Sequence, residues 1–170
     1  TGTFRVPAGG GHKTALTTPD KAAGAGDHRF PWFLPDGRHF LYTDTTSDVE
    51  TSGVYVADIE SEYRERLIAI DSNAVYGPPG YLLFAREGAL MAQPFDAAKL
   101  RITGDAVPIA DQVDSQTTRA QNQFSISQNG VLAYTSGGSG GGSLLTWFDR
   151  SGKVTGTLGA PNALSWGAIS

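Results

Sequence analysis

The chain has no cysteine and a single methionine, Met91, in 170 residues. Without thiols it forms neither disulfides nor thiolate metal sites, and either redox compartment suits it. It also lacks a basic cluster. Its 13 Lys and Arg and 17 Asp and Glu are dispersed, for a net charge of −4. Nothing in that pattern could neutralise a row of phosphates, which excludes nucleic acid as an expected partner. The longest apolar runs, such as Tyr81 to Ala85, are far below the roughly 18 residues of a membrane-spanning helix. No membrane insertion by this segment is expected. Helical periodicity is missing too: Ala97 to Ile102 makes at best one turn.

What is abundant is glycine, 22 residues, about twice the usual share of roughly 7%. Much of it falls in a recurring event: an apolar strand, a Gly-containing tight turn, and a second strand ending in an aromatic residue. The copies are Phe33-Leu34-Pro35-Asp36-Gly37-Arg38-His39-Phe40-Leu41-Tyr42, Tyr76-Gly77-Pro78-Pro79-Gly80-Tyr81-Leu82-Leu83-Phe84 and Phe124-Ser125-Ile126-Ser127-Gln128-Asn129-Gly130-Val131-Leu132-Ala133-Tyr134. Their turn glycines lie 43 and 50 residues apart. A β-type period of roughly 40 to 50 residues is the signature of propeller blades. The expected fold is therefore all-β, an incomplete β-propeller of four-stranded antiparallel blades. A β-sandwich would space its turns at about 8 to 12 residues without this longer period.

The blades divide as follows. Residues 1–27 form the outer half of a blade, residues 28–72, 73–113 and 120–159 form three blades, and residues 162–170 begin another. The first blade should contain strands Phe30 to Leu34, His39 to Asp44, Gly53 to Asp58 and Tyr63 to Ile70. The second should contain Tyr81 to Arg86, Ala89 to Phe95 and Asp105 to Val113 after a short inner strand. The third should contain Gln123 to Ser127, Val131 to Thr135, Leu144 to Asp149 and Val154 to Leu158. Hairpins are expected at Asp36-Gly37, Glu87-Gly88, Asn129-Gly130 and Ser151-Gly152, and Pro78-Pro79-Gly80 is expected to keep its hairpin through Gly80. Glu62, Arg64, Glu65 and Arg66 suit an outermost strand, where charge discourages strand addition. Position 1 is Thr, no charged-then-apolar leader precedes Phe4, and Asn162 to Ser170 reads as a fresh strand. Both ends are expected to be cuts within a longer reading frame, leaving edges prone to association.

The first repeat copy, Gly80-Tyr81-Leu82-Leu83-Phe84, Gln93-Pro94-Phe95-Asp96 and Trp147-Phe148-Asp149-Arg150-Ser151-Gly152-Lys153 resemble the WD-repeat-like propellers that include the TolB propeller. In order and spacing they are most similar to the propeller region C-terminal to the kinase domain of bacterial, eukaryote-like serine/threonine kinases. The resemblance runs from about Gly2 to Trp166. It implies a non-catalytic sensing or protein-interaction module, part of a larger protein that is a bacterial serine/threonine kinase. It also implies a periplasmic or extracytoplasmic location in a membrane-anchored parent, with a cytoplasmic one left open. The alternatives are the substrate-gating propeller of a prolyl-oligopeptidase-like serine peptidase, or a TolB-like periplasmic scaffold. The kinase machinery itself is absent from this sequence: it has no Asp-Phe-Gly, and His28-Arg29 is followed by Phe30, not Asp.

Other patterns carry no chemistry. Gly137-Gly138-Ser139-Gly140-Gly141 matches the G-x-S-x-G of serine hydrolases, but a strand rather than a helix follows, so it reads as a flexible tract. Gly11-His12-Lys13-Thr14 has His where a phosphate loop needs Gly. His12, His28 and His39 are too scattered for a metal set. Asp36 is a turn former, and Trp32, Trp147 and Trp166 are expected to pack between blades. No catalytic residue, cofactor or metal is expected.

Candidate partner-binding residues stand where loops enter inner strands: His28, Arg29, Asn73, Asn122 and Asn162. The loops concerned are Asp27 to Arg29, Asp71 to Asn73, Arg119 to Asn122 and Pro161-Asn162, beside Thr45 to Ser52 and Ser136 to Ser143. In a propeller such loops share one rim, and polar, small residues there suit a protein, a peptide or a cell-wall-derived ligand. The competing role for these side chains is capping of the strand entrance.

Overall fold

The structure is a computed structural model that describes residues 1–20, 26–113, 115–116, 121–136, 143–149 and 152–162. The chain divides into two compact units, Thr1–Ala74 and Val75–Ser170. Among the described residues there is no helix, hence none long and apolar enough to cross a membrane.

In the first unit, β1 (Phe4–Arg5) and β2 (Thr14–Ala15) form a two-stranded ribbon. It is followed by β3 (His28–Phe33), β4 (His39–Asp44), β5 (Gly53–Asp58) and β6 (Arg64–Ile68). These four make an antiparallel meander in chain order. β4 is buried along its middle on both faces: Phe40, Leu41, Tyr42 and Thr43 are each at most 1% exposed. Phe40 pairs with Ala57 and Tyr42 with Tyr55, so these four side chains share a face because alternate residues project the same way. Leu16, just past β2, packs against Phe40, Tyr42 and Ala57 there. The charges of Arg64 and Glu65 lie exposed on β6, the last strand of the sheet, as the edge-strand argument anticipates.

The second unit begins within β7 (Ala74–Gly77), at Val75, and continues with β8 (Tyr81–Arg86) and β9 (Ala89–Asp96). Where one outer strand over Asp105 to Val113 was expected, two short ones pair along β9: β10 (Arg101–Ile102) and β11 (Val107–Ala110). β9 is eight residues long, and its Asp96 end bonds β10 while Leu90 to Ala92 bond β11. The 97–102 stretch goes no further than a single turn over residues 97–100. Asp96 Oδ1 accepts from the Ala98 and Lys99 amides, Leu100 takes a left-handed φ of 54°, and the chain re-enters the sheet. An unanticipated ribbon of β12 (Ser115–Gln116) and β13 (Gln121–Asn122) follows. Then β14 (Phe124–Ile126), β15 (Leu132–Thr135), β16 (Ser143–Phe148) and β17 (Val154–Asn162) form a second four-stranded meander in chain order.

The hairpin glycines behave as anticipated. Gly37, Gly88, Gly130 and Gly152 have φ of 66°, 79°, 83° and 81°, values that favour glycine. Gly80 does not: its backbone lies outside the left-handed region. The Pro78-Pro79 peptide is cis. A Cβ at Gly80 would stand 3.1 Å from the Phe95 carbonyl oxygen, so glycine serves there for close approach. Arg119, the tract 137–142, Arg150, Ser151 and Trp166 lie outside the described residues. Trp32 and Trp147 are half-buried.

Candidate functional site

The pairing of the first sheet gathers its loops at one end. His28 stands opposite Asp44, Asp44 opposite Gly53, and Val54 opposite Ile68. The entrance to β3, the 45–52 loop and the exit from β6 therefore share this end. The Thr45 amide and hydroxyl both donate to the Asp27 carbonyl, at 3.0 and 3.1 Å. Arg29 Nη2 donates to Asp27 Oδ2 at 2.8 Å.

The 45–52 loop is heavily braced. Amides of Thr51 and Ser52 donate to the Asp48 carbonyl, and the Glu50 amide to Asp48 Oδ1. Arg66 on β6 sends Nη1 to the Glu50 carbonyl at 2.7 Å and Nη2 to the Val49 carbonyl at 2.9 Å. The Tyr55 hydroxyl donates to the Thr51 carbonyl at 2.6 Å. At the tip, Val49 is 75% exposed, between Asp48 and the exposed Glu50. Such bracing lowers the ordering entropy a partner would otherwise have to overcome.

His28 is turned inward. Between Arg29 and Trp32 the β3–β4 register shifts by one residue, at Phe30, whose φ is 56°. Continued without the bulge from Phe33 opposite Phe40, the register would set Arg29 across from Asp44. With the bulge His28 takes that place, on the face of Tyr42 and Phe40. Its side chain is fully buried, Nδ1 is 2.7 Å from Thr17 Oγ1, and Nε2 is 3.1 Å from Asp44 Oδ2. Its ring lies 4.7 Å from that of Tyr42. Burial pushes its pKa below the ordinary imidazole value, against the opposing pull of Asp44, so at neutral pH the ring is uncharged. The Asp44 carboxylate only accepts, so Nε2 carries the proton and Nδ1 accepts from the Thr17 hydroxyl. Thr17 Oγ1 in turn accepts from the Thr3 amide at 3.0 Å and the Thr3 hydroxyl at 2.7 Å.

Thr17, His28 and Asp44 thus have the order of a nucleophile, a base and its orienting acid. Both lone pairs of the Thr17 oxygen are occupied, however, and Thr3, Thr17 and His28 are all buried. No attacking group is presented. The chain of bonds fastens the ribbon to the sheet, which is the capping role.

Of the other sequence-derived candidates, Arg29 is half-exposed on this end and held by Asp27. Asn73 is buried beside Ser72, whose hydroxyl donates to the Asn73 carbonyl at 2.9 Å and whose carbonyl accepts from Thr43 Oγ1 at 2.8 Å. Asn122 is buried at the end of β13, opposite Ser115. Asn162 ends β17 opposite Ser143. His28, Arg29 and Asn73 belong to the first unit and Asn122 and Asn162 to the second. Sequence reasoning passed over Arg66, Tyr55 and Thr17. The available signal was period-two spacing, which sets Tyr55 and Arg66 opposite each other on one face.

In the second unit the corresponding sheet end differs. The β8–β9 turn there is only Glu87-Gly88, and the Val113 amide donates to the Gly88 carbonyl at 2.9 Å. Among the described residues no group of three or more His, Asp or Glu could hold a metal ion.

The opposite end of the first sheet carries the 36–38 turn and the β5–β6 turn. Asp58 accepts Arg38 Nε at 3.0 Å and Nη2 at 2.6 Å, with the Glu60 amide and Ser61 hydroxyl also donating. The Arg38 guanidinium, first of all, and these added donors hold the Asp58 carboxyl well below the usual carboxylate range. Beside this turn, between it and β2, opens a cleft of 520 Å³. A smaller cavity of 100 Å³ lies near Asp44, Thr46, Thr51 and Tyr55.

No protein-family model matches the chain, and no curated protein sequence matches it. Among solved structures it is similar to TolB from Acinetobacter baumannii, with a TM-score of 0.60 at 20% identity. The match covers 90% of this chain and 36% of that one, so the chain spans little over a third of the TolB length. At that identity the likeness concerns the fold. The chain is all-β and has the fold of an incomplete, TolB-like β-propeller, its blades antiparallel sheets of four strands, or of five where β10 and β11 both pair with β9.

Proposed function

We propose that this chain is a non-catalytic protein-interaction module, the propeller part of a larger extracytoplasmic protein, and that it engages a peptide or protein through the loop end of its blades. The observation that carries this reading is the 45–52 loop: eight residues held by Arg66 and Tyr55 and presenting Val49 between two carboxylates. Rigid loops on a sheet scaffold are where binding surfaces are built. The cavity at this end, 100 Å³, is smaller than the ~300 Å³ at which small-molecule pockets begin. A surface contact with a polypeptide fits it better than a cell-wall fragment does. The saturated Thr17 hydroxyl supports the absence of catalysis. Kinase parentage rests on the sequence resemblance and stays within this proposal.

Two experiments test it. A photo-crosslinking residue at position 49 of the parent protein, in its native cell, should form an adduct with another polypeptide. The same residue at position 107, on the exposed outer strand β11 of the second unit, should not. Equal adducts at both, or none at 49, would reject the loop end as the binding surface. A kinase domain encoded upstream in the same reading frame would support the parentage, whereas a downstream α/β-hydrolase domain would replace it with the peptidase alternative.

A further inference from the structure

The 520 Å³ cleft of the first unit lies between a strand and a turn. One wall is β2 and its flanks, from Thr14 to Thr18. The other is the β5–β6 turn, from Ile59 to Arg64. Among the described residues β2 pairs with β1 alone. Leu16, Ala57 and Ile59 supply apolar lining, half-buried or buried. The volume is within the roughly 300 to 1,000 Å³ of ligand sites, and a strand edge that β1 leaves unpaired in β2 suits an extended segment laid along it.

Charge decides what kind of segment. Two guanidiniums and two carboxylates line the cleft: Arg5, Arg64, Glu60 and Glu62. Glu60 is taken by Arg38, 3.3 Å away and outside the lining. Glu62 has no ion-pair partner among the described residues. Arg5 is bound only through Nη1 to the Ile59 carbonyl at 3.0 Å. Arg64 lies beside the Tyr42 phenol. Neither guanidinium is in an ion pair among the described residues. The cleft therefore offers two unpaired guanidiniums against one unpaired carboxylate. Guanidinium is the group best shaped to grip a carboxylate through paired N–H donors. We propose that this cleft binds an extended acidic peptide segment, with its Asp or Glu side chains on Arg5 and Arg64 and its apolar side chains toward Leu16 and Ile59. Arg64 also lines the 100 Å³ cavity beside Thr46, Thr51 and Tyr55, whereas Arg5 lines the cleft alone, so the Arg5 variant separates this site from the loop-end reading.

The test is calorimetric titration of the 170-residue chain with a blocked Glu-Val-Glu-Val-Glu peptide. About 10 mM salt is used, where screening extends to about 30 Å. Saturable binding is expected, weakening as salt is raised. Arg5→Gln and Arg64→Gln should each weaken it about tenfold, the scale of one charge-assisted hydrogen bond. Glu62→Gln should tighten it about two- to threefold by removing a like charge. A blocked Lys-Val-Lys-Val-Lys peptide should not bind. Equal binding of both peptides, no binding of the acidic one, or unchanged affinity in both Arg variants would overturn the proposal. So would displacement of the peptide by inorganic phosphate at equal concentration, which would mark a simple anion site. Arg5 is on the exposed ribbon, so its variant remains informative if Arg64→Gln fails to fold.

Discussion

Replacing His28 by Ala is the most revealing single change to this molecule. It deletes a buried ring whose two nitrogens are both hydrogen-bonded, to Thr17 at 2.7 Å and Asp44 at 3.1 Å, and which packs 4.7 Å from Tyr42. The Thr17 hydroxyl loses its acceptor and Asp44 keeps the Thr46 amide at 3.0 Å. Leaving a buried polar group unsatisfied costs about 1 to 3 kcal/mol, and the void beneath Tyr42 adds about 1 to 2 kcal/mol. The expected loss is about 3 kcal/mol. With a urea slope of about 2 kcal/mol per M, the midpoint should fall by about 1.5 M. Thr17→Val removes one partner of the same bond, so a double-mutant cycle of the two should give a coupling of about 1 kcal/mol. The assay is urea unfolding followed by far-UV circular dichroism, with the slope checked for constancy. If His28→Ala shifts stability by less than about 0.5 kcal/mol, the bonded chain from Thr3 to Asp44 is not a structural tie, and His28 returns as a candidate for binding.

Three further outcomes are expected. His28 has a folded-state pKa below its unfolded value of about 6.5, so its contribution is full above that pH and is lost as pH falls through the folded value. Unfolding free energy measured from pH 7.5 downward should drop, and the slope should diminish in His28→Ala; an unchanged slope would contradict a buried neutral ring. Burial pushes the Tyr42 phenol up to about 12, and the Glu65 hydrogen bond lifts Tyr63 to about 12. Ultraviolet titration of the six tyrosines should therefore leave two or more un-ionised at pH 11, and complete ionisation while the fold persists would refute this. Arg66→Ala should speed hydrogen exchange of the Thr51 and Ser52 amides while changing global stability by less than about 1 kcal/mol, and unchanged exchange there would remove Arg66 from the bracing of the loop.

Much of the fold was legible because its signals are local. The β4 and β5 boundaries, His39–Asp44 and Gly53–Asp58, follow from alternating or continuous apolar runs ended by Gly and Asp. Hairpins at Gly37, Gly88 and Gly130 follow from the steric freedom of glycine at positive φ. The outer strand of the second sheet was misread because Asp105 to Val113 looks uniform. Its shortening to β11, and the separate strand β10 ahead of it, depend on pairing with β9, which no local pattern encodes. The β12–β13 ribbon was missed for the same reason, since its four polar residues carry no apolar alternation and owe their strand state to pairing with each other.

The candidate site divides along the same line. That polar residues stand at the strand entrances, and that a long loop joins β4 to β5, was determined by the sequence itself. Which of those side chains points outward was decided only in three dimensions. A one-residue bulge at Phe30 swaps His28 for Arg29 opposite Asp44, and because side chains alternate along a strand, that single shift buries the imidazole and leaves the guanidinium at the surface. The bracing of the 45–52 loop by Arg66, and the cleft that sets Arg5 and Arg64 in one lining, join residues 16 to 59 positions apart. Local propensity acts over a few residues; contacts of that span exist only once the sheet has formed.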